Sequence, residues 1–236
     1  MMFDFVDRPG WSKAMAVFDL ETTGLDLREA RIVTACAVEI DQNGNITGAN
    51  KEWLANPGIE IPTAASNVHG VTTEIARANG RPAKEVVGEL LETLRGFFAK
   101  GLPVVAFNAP YDFTILHYEA LRHSLEPIAN PRPVIDPMVM DKFVDTYRSG
   151  KRTLEVASKV YGVTLEDAHN ATADAVAAGR VAQAIAKKYS EKLPDDLDVL
   201  HDSQIEWSAS QDASYEKFRR GTSPEFTIQR GWPLKL

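Results

Sequence analysis

The apolar pattern predicts an α/β fold in which a mixed five-stranded sheet is flanked by helices. Two observations carry this reading. Three strand-like segments joined by short turns open the chain as an antiparallel meander, and strand–helix–strand crossovers with parallel strands follow. Residues 15–20 are an apolar strand and residues 31–40 a second. The turn 41–44, Asp-Gln-Asn-Gly, leads into a third strand around 46–54, reading as a hairpin. The Pro/Gly-bearing stretch NPGIEIPTAASNVHGVTTE is then an irregular connection with short helical pieces. The clearest helix is 82–99, where Val86, Val87, Leu90, Leu91, Leu94, Phe97 and Phe98 recur at helical spacing, with Pro82 at the start and Gly101 just past the end. A short buried strand at 103–108 precedes a helix at 111–122, and Val134–Asp136 reads as the last strand. Helices at 137–147, 153–161 and 171–189 complete the body. Residues 192–198 read as a linker. Leu197, Leu200, Trp207 and Phe218 then fall on one face of an amphipathic helix ending near Arg220, a face that needs a cover.

The 236 residues are 44% hydrophobic and 25% charged, the composition of a soluble globular protein. A chain of this length buries about 70% of its unfolded surface, so it needs no disulfide or structural metal to fold. The single cysteine, Cys36, sits in the apolar run IVTACAVEI and reads as a small buried hydrophobe. No run approaches the ~20 apolar residues of a membrane span and nothing resembles a signal peptide, so the expectation is a cytoplasmic protein with no membrane partner. The net charge of −7 argues against a module that holds nucleic acid by counterion release. It does not argue against a nuclease, because carboxylates clustered around divalent cations make a chain acidic while the cations restore local positive charge.

Three motifs carry chemistry. In VFDLETTGL, Asp19 and Glu21 alternate on a strand and so point to one face. Two hard oxygen donors placed this way suit a divalent cation; the alternative is a pair of strand-end carboxylates in solvent. Two further acidic-x-acidic pairs, Glu39/Asp41 and Asp196/Asp198, read as a turn and a solvated linker. In FNAPYDF, Asp112 follows a buried strand at a helix start, where a carboxylate is also an ordinary helix-terminal residue. In HNATADAVAAGR, His169 and Asp174 are five apart, about 140° around a continuous helix. They converge only if His169 lies in the loop before the helix and Asp174 in an early turn, with Asn170 or Thr172 as the cap. His69/Glu74 and His201/Glu206 share that spacing, so spacing alone decides nothing. Asp136, at a strand end, reads as a helix cap.

Taken in order, Asp-x-Glu, Asp, and His with Asp resemble the DEDDh family of 3′–5′ exonucleases, and FDLETTGL is most similar to the proofreading epsilon-subunit type of bacterial DNA polymerase III. The resemblance spans residues 14–186 and includes the NPGIEIPTAASNVHGVT connection. The sibling subfamily has tyrosine four residues before the last aspartate, where this chain has Asn170, so the histidine version is indicated. The resemblance implies a ribonuclease H-like fold, which sets a domain over 1–190; the residues beyond it, 191–236, read as a linker, helix and tail that pack on the domain or dock a partner. It implies two divalent ions, Mg²⁺ or Mn²⁺. Asp19, Glu21 and Asp174 hold one, Asp19 is shared with the second, and Asp112 completes the site. His169 is the implied general base. Thr22, Thr23, Gly24, Leu25, His69, Asn108 and Tyr111 are the implied contacts to the terminal nucleotide, although Tyr111 also reads as core packing. The implied substrate is a nucleic-acid 3′ end, single-stranded DNA being favoured, and the implied protein partner is a DNA polymerase catalytic subunit. Two alternatives stay open. An RNA or short-oligonucleotide exonuclease shares the chemistry, although the short-oligoribonuclease relatives carry methionine where Thr22 stands. A non-catalytic replisome adaptor would use the fold only for docking. SQIEWSAS lacks the apolar pair of a sliding-clamp peptide, and the aromatic residues Trp207, Phe218, Phe226 and Trp232 suit either a partner interface or folding back.

Overall fold

Alternation along the first strand sets the architecture. In the computed structural model, which describes residues 8–48, 51–165 and 170–236, β1 is Met15–Thr22. Ala16, Phe18 and Leu20 enter one core cluster, whereas Met15 and Val17 enter a second on the opposite face. β2 (Ile32–Ile40) pairs antiparallel with β1 and places Asp19 opposite Cys36 and Glu21 opposite Thr34. The register then slips, so that Thr22 faces Ile32. The extra residue, Val33, is a β-bulge, and it explains why Ile32 shares a core cluster with Ala35 and Ala37 despite its opposite parity.

The third expected strand is split. β3 (Ile46–Thr47) and β4 (Glu52–Asn56) both pair with β2, and Gly48 between them has φ +78°, a left-handed conformation that interrupts an extended chain. Two short helices follow, α1 (Thr63–His69) and α2 (Thr73–Asn79). Pro82, expected to open the long helix, instead joins Arg81 in a two-residue edge strand, β5, parallel to β4. α3 (Ala83–Ala99) begins one residue later than the periodicity suggested. Then come β6 (Val104–Val105), α4 (Ala109–Arg122), β7 (Val134–Ile135), α5 (Pro137–Val144), α6 (Leu154–Tyr161), α7 (Ala171–Lys188) and α8 (Leu197–Arg220). The sheet order is β5-β4-β2-β1-β6-β7, with β6 and β7 parallel to β1. The expected mixed sheet is therefore present, with two short additions among the described residues. α3 and α4 cover the Phe18 face, and α7 covers the Val17 face. α5 ends three residues early because the Arg152 guanidinium takes up the carbonyls of Asp141, Asp145 and Arg148.

α8 packs on α5 and β7, and its buried side is largely polar. β7 is the sheet margin, and α8 satisfies it with side chains. His201 Nδ1 accepts from Val134 N–H (3.1 Å), Gln204 Oε1 accepts from Asp136 N–H (2.7 Å), and Gln204 Nε2 donates to Val134 C=O (3.0 Å). Leu200 is buried as expected, whereas Phe218 is 76% exposed. At about 1.5 Å per residue the two lie about 27 Å apart on the helix, and in the last turns Glu216 is buried and paired with Arg230 of the tail while Phe218 stays uncovered. Beyond α8, Trp232 returns to the core beside α4, and Phe226 packs edge-on against Tyr215 with ring centroids 5.8 Å apart.

Candidate active site

The row Asp19–Cys36–Glu52 and the row Glu21–Thr34–Leu54 lie on the sheet face covered by α7. Asn170 caps α7, its side chain accepting from the N–H groups of Thr172 (3.0 Å) and Ala173 (3.1 Å). Asp174 therefore falls in the first turn, over the end of β1. Ligand atoms of Asp19, Glu21 and Asp174 all lie within 4.8 Å of one another. His169 lies outside the described residues.

Electrostatics marks this cluster. Burial, then the charges of Asp112, Asp174 and Glu21, push the Asp19 carboxyl well above its usual range. Burial and Asp174 raise Glu21 to about 7. Among the described residues no ion pair involves Asp19, Glu21 or Asp112. Three converging carboxylates, with Asp19 and Glu21 pushed up and no ammonium or guanidinium partner for that strand pair among the described residues, form a donor set that fits a hard divalent cation.

Asp112 stands apart from that triad. It is 2% exposed, in the first turn of α4, and its Oδ1 accepts from Leu20 N–H at 3.1 Å. Its carboxylate therefore reaches across to β1 rather than capping its own helix, and its charge is felt at Asp19. The capping position is Asn108, in a left-handed conformation (φ 66°, ψ 51°), whose backbone N–H donates to Asp136 Oδ1 at 3.0 Å. Asp136 is the helix cap expected of it. It accepts from Met138 and Val139 N–H at the start of α5, and also holds Ala109 N–H and the Trp232 indole N–H (3.3 Å).

The seven expected substrate contacts are distributed over three places. Thr22 Oγ1 is 2.6 Å from Tyr111 Oη, and both hydroxyls are within hydrogen-bond reach of the Gly24 carbonyl (2.8 and 2.9 Å), so the turn after Glu21 is tied to α4. Thr23 closes the β1–β2 end, its hydroxyl accepting from Arg31 N–H. Leu25 projects outward at 86% exposure. His69 ends α1, its Nδ1 accepting from Val71 N–H, and it lines a cavity of about 400 Å³ with Thr34, Glu52, Leu54, Asn170 and Thr172, on the sheet face that carries Asp19 and Glu21. Asn108 instead lines a separate groove beside α5.

A model of the exonuclease family (RNase_T) matches residues 16–182. The chain belongs to the exonuclease family. Its acidic signature is that of the DEDDh 3′–5′ exonucleases. It is 29% identical over 198 residues to a PolC-type DNA polymerase III of Pediococcus pentosaceus, covering 84% of this chain and 13% of that protein. It is 32% identical over 177 residues to the PolC-type polymerase of Streptococcus pneumoniae, covering 75% and 11%. The chain thus spans 11–13% of the length of these relatives. The fold superposes on E. coli Exonuclease I in complex with a dA16 oligonucleotide with a TM-score of 0.64 at 17% identity, covering 76% of this chain and 42% of that one. Exonuclease I of Methylocaldum szegediense gives a TM-score of 0.61 at 19% identity, covering 76% and 41%. Among the described residues of this exonuclease no helix is long and apolar enough to cross a membrane.

Some neighbours of the site escaped the sequence reading. Thr34 and Glu52 share rows with Glu21 and Asp19, and Thr172 Oγ1 donates to Glu52. Alternation along residues 32–40 would have flagged Thr34, a polar residue in the apolar first half of the strand. Nothing local flags Glu52, because its place depends on cross-strand register.

Proposed function

We propose that this exonuclease releases nucleoside monophosphates from the 3′ end of single-stranded DNA, and that residues 1–190 carry the chemistry. The observation that carries the reading is the convergence of Asp19, Glu21 and Asp174 within 4.8 Å. Similarity to PolC-type polymerases supports DNA as the substrate and a polymerase catalytic subunit as partner. In this reading Asp19, Glu21 and Asp174 hold one divalent ion, Mg²⁺ or Mn²⁺, while Asp19 and Asp112 serve a second. Such ions supply Lewis acidity and positive charge against a phosphodiester.

The chain's own groups do the rest. The four carboxylates set how much charge the site carries, and Asp112, fixed by Leu20 N–H, keeps its orientation toward β1. Thr22, Gly24 and Tyr111 hold the turn where the terminal sugar and base would rest, with Thr23 and Leu25 beside them, and His69 and Asn108 border the site on either side. His169 accepts the proton of the attacking water, a task to which an imidazole, with a reference pKa of about 6.5, is suited near pH 7.

The test is hydrolysis of end-labelled single-stranded DNA and matching RNA, with Mg²⁺ or chelator, by the wild type, Asp19→Ala and His169→Ala. Metal-dependent release of mononucleotides from the 3′ end, abolished in Asp19→Ala and lowered about 10²–10⁴-fold in His169→Ala, is the expected result. The DNA/RNA rate ratio assigns the substrate. Undiminished turnover in folded His169→Ala removes that residue from its role. No cleavage of either polymer leaves the adaptor reading.

A further inference from the structure

Outside the carboxylate cluster, a groove of about 750 Å³ lies between α5, α8 and the returning tail. It begins at Asn108, just past the end of β6, and so opens on the same side of the sheet as the end of β1 that carries Glu21. Asn108 is one helical turn from Tyr111, which is bonded to Thr22. The groove therefore leads away from the active site.

Its lining is basic in a chain of net charge −7. Lys142, Arg148, Arg152 and Lys235 line it, against one acidic residue, Asp212. Arg148 and Arg152 share the buried Asp141. Lys142 and Lys235 make no side-chain hydrogen bond or ion pair among the described residues, although both are partly buried. The carboxylates that act on Lys142, Asp136 and Asp212, do so through space without an ion pair, so a phosphate in the groove would supply the direct contact it lacks. Aromatic surface accompanies the charge: Phe143 stacks on Trp207 at 3.8 Å between centroids, and Tyr215, 46% exposed, lines the same wall. Cations that track a backbone beside exposed aromatic faces are how sequence-independent single-strand sites are built. Half of the groove comes from α8 and the tail, beyond the matched family residues 16–182, so this chain's extension completes a wall that the exonuclease body begins with Lys142.

We propose that this groove holds the phosphodiester backbone of the single strand leading away from the 3′ end, with Lys142 and Lys235 as the phosphate contacts. The proposal rests on the 3′–5′ exonuclease reading for its direction, and its test reads equilibrium binding rather than turnover. Fluorescein-labelled oligodeoxythymidylates, a dinucleotide and one of about twelve nucleotides, are titrated with the full chain in Ca²⁺ by fluorescence anisotropy. The same is done for Lys142→Gln/Lys235→Gln and for a control, Lys84→Gln, on the exposed side of α3. Thermal melting checks that each variant is folded.

The expected result is that wild-type affinity rises with length and that the double variant loses about tenfold on the longer probe. Its log–log salt slope should also fall by about 1.4, the counterions released by two phosphates on a single strand. The control should keep the wild-type length dependence. Affinity that does not grow with length, or that is unchanged in the folded double variant, overturns the proposal and leaves the groove to a protein segment. Length-dependent binding without 3′ hydrolysis would sink the exonuclease reading while sustaining the groove.

Discussion

Carboxylates that converge as Asp19, Glu21 and Asp174 do repel one another unless protons or cations intervene. Because the fold raises Glu21 to about 7, its protonated form is the one the folded chain favours. The sign follows from linkage. The contribution is complete below the carboxyl's ordinary pKa and is lost as pH rises through about 7. In chelator, the melting temperature should therefore fall between pH 5 and pH 8, and Mg²⁺ should restore more of it at pH 8 than at pH 5. Asp19→Asn should raise the chelated melting temperature at pH 8 and abolish the Mg²⁺ shift. Scanning calorimetry at the two pH values checks both, and a Mg²⁺ shift independent of pH would count against the cluster as a cation site. At this scale the sequence was legible where chemistry is local. Alternation placed Asp19 and Glu21 on one face, and the Asn170 cap was available to put Asp174 in a first turn. The hydrogen bond from Leu20 to Asp112 was not legible, because it joins residues 92 apart and depends on how α4 lies across the sheet.

Elements meet the site through close packing, most tightly where α7 crosses β1 and β2. A Cβ added at Gly179 would stand 2.6 Å from Val17 Cγ1 and 2.5 Å from Ile40 Cδ1. Helix propensity would favour Gly179→Ala by about 1 kcal/mol, but overpacking at such distances costs about 1–3 kcal/mol. We expect net destabilisation in urea unfolding, together with a weaker Mg²⁺-induced stabilisation, because Asp174 rides on the same helix. A stabilised variant with unchanged Mg²⁺ response would show that α7 can slide freely. At the opposite margin of the sheet, Gln204→Ala would strip the partners from Asp136 N–H and Val134 C=O, each buried. The expected loss is about 1–3 kcal/mol for each polar group left unsatisfied, read by the same unfolding experiment. The long elements were legible from periodicity: β1, β2, α3, α4 and α7 all lie where apolar spacing placed them. The third strand was legible too, but not its split into β3 and β4, nor β5, since a left-handed Gly48 and a two-residue pairing at Pro82 leave no periodic trace. The polar part of α8's buried side was missed for another reason: a search for an apolar stripe finds Leu200 but passes over His201, Gln204 and Ser208 beside it.

Across the whole molecule, the C-terminal segment is bound into the body at several points. Trp232 donates to Asp136, Lys235 N–H donates to the Thr114 hydroxyl on α4, and Arg132 pairs with Asp198 and Asp202 on α8. Asp136 in turn fixes the starts of α4 and α5, so the tail is joined through one buried carboxylate to the helix that carries Asp112. Sequence composition offered both folding back and partner docking for these aromatics, and only the three-dimensional path separates Trp232, which is buried, from Phe218, which is not. Cys36 gives this cooperative body a use at the bench. Its thiol is fully enclosed at the centre of β2 and pushed up to about 12, chiefly by burial, and it is the only cysteine in the sequence. A thiol reagent such as a disulfide dye should therefore find no thiolate in the native state and react only when the sheet opens. Labelling kinetics against urea should track global unfolding. Rapid labelling without denaturant would reveal partial opening along β2. The protein thus carries a built-in clock for its own large-scale breathing, readable with no engineered probe.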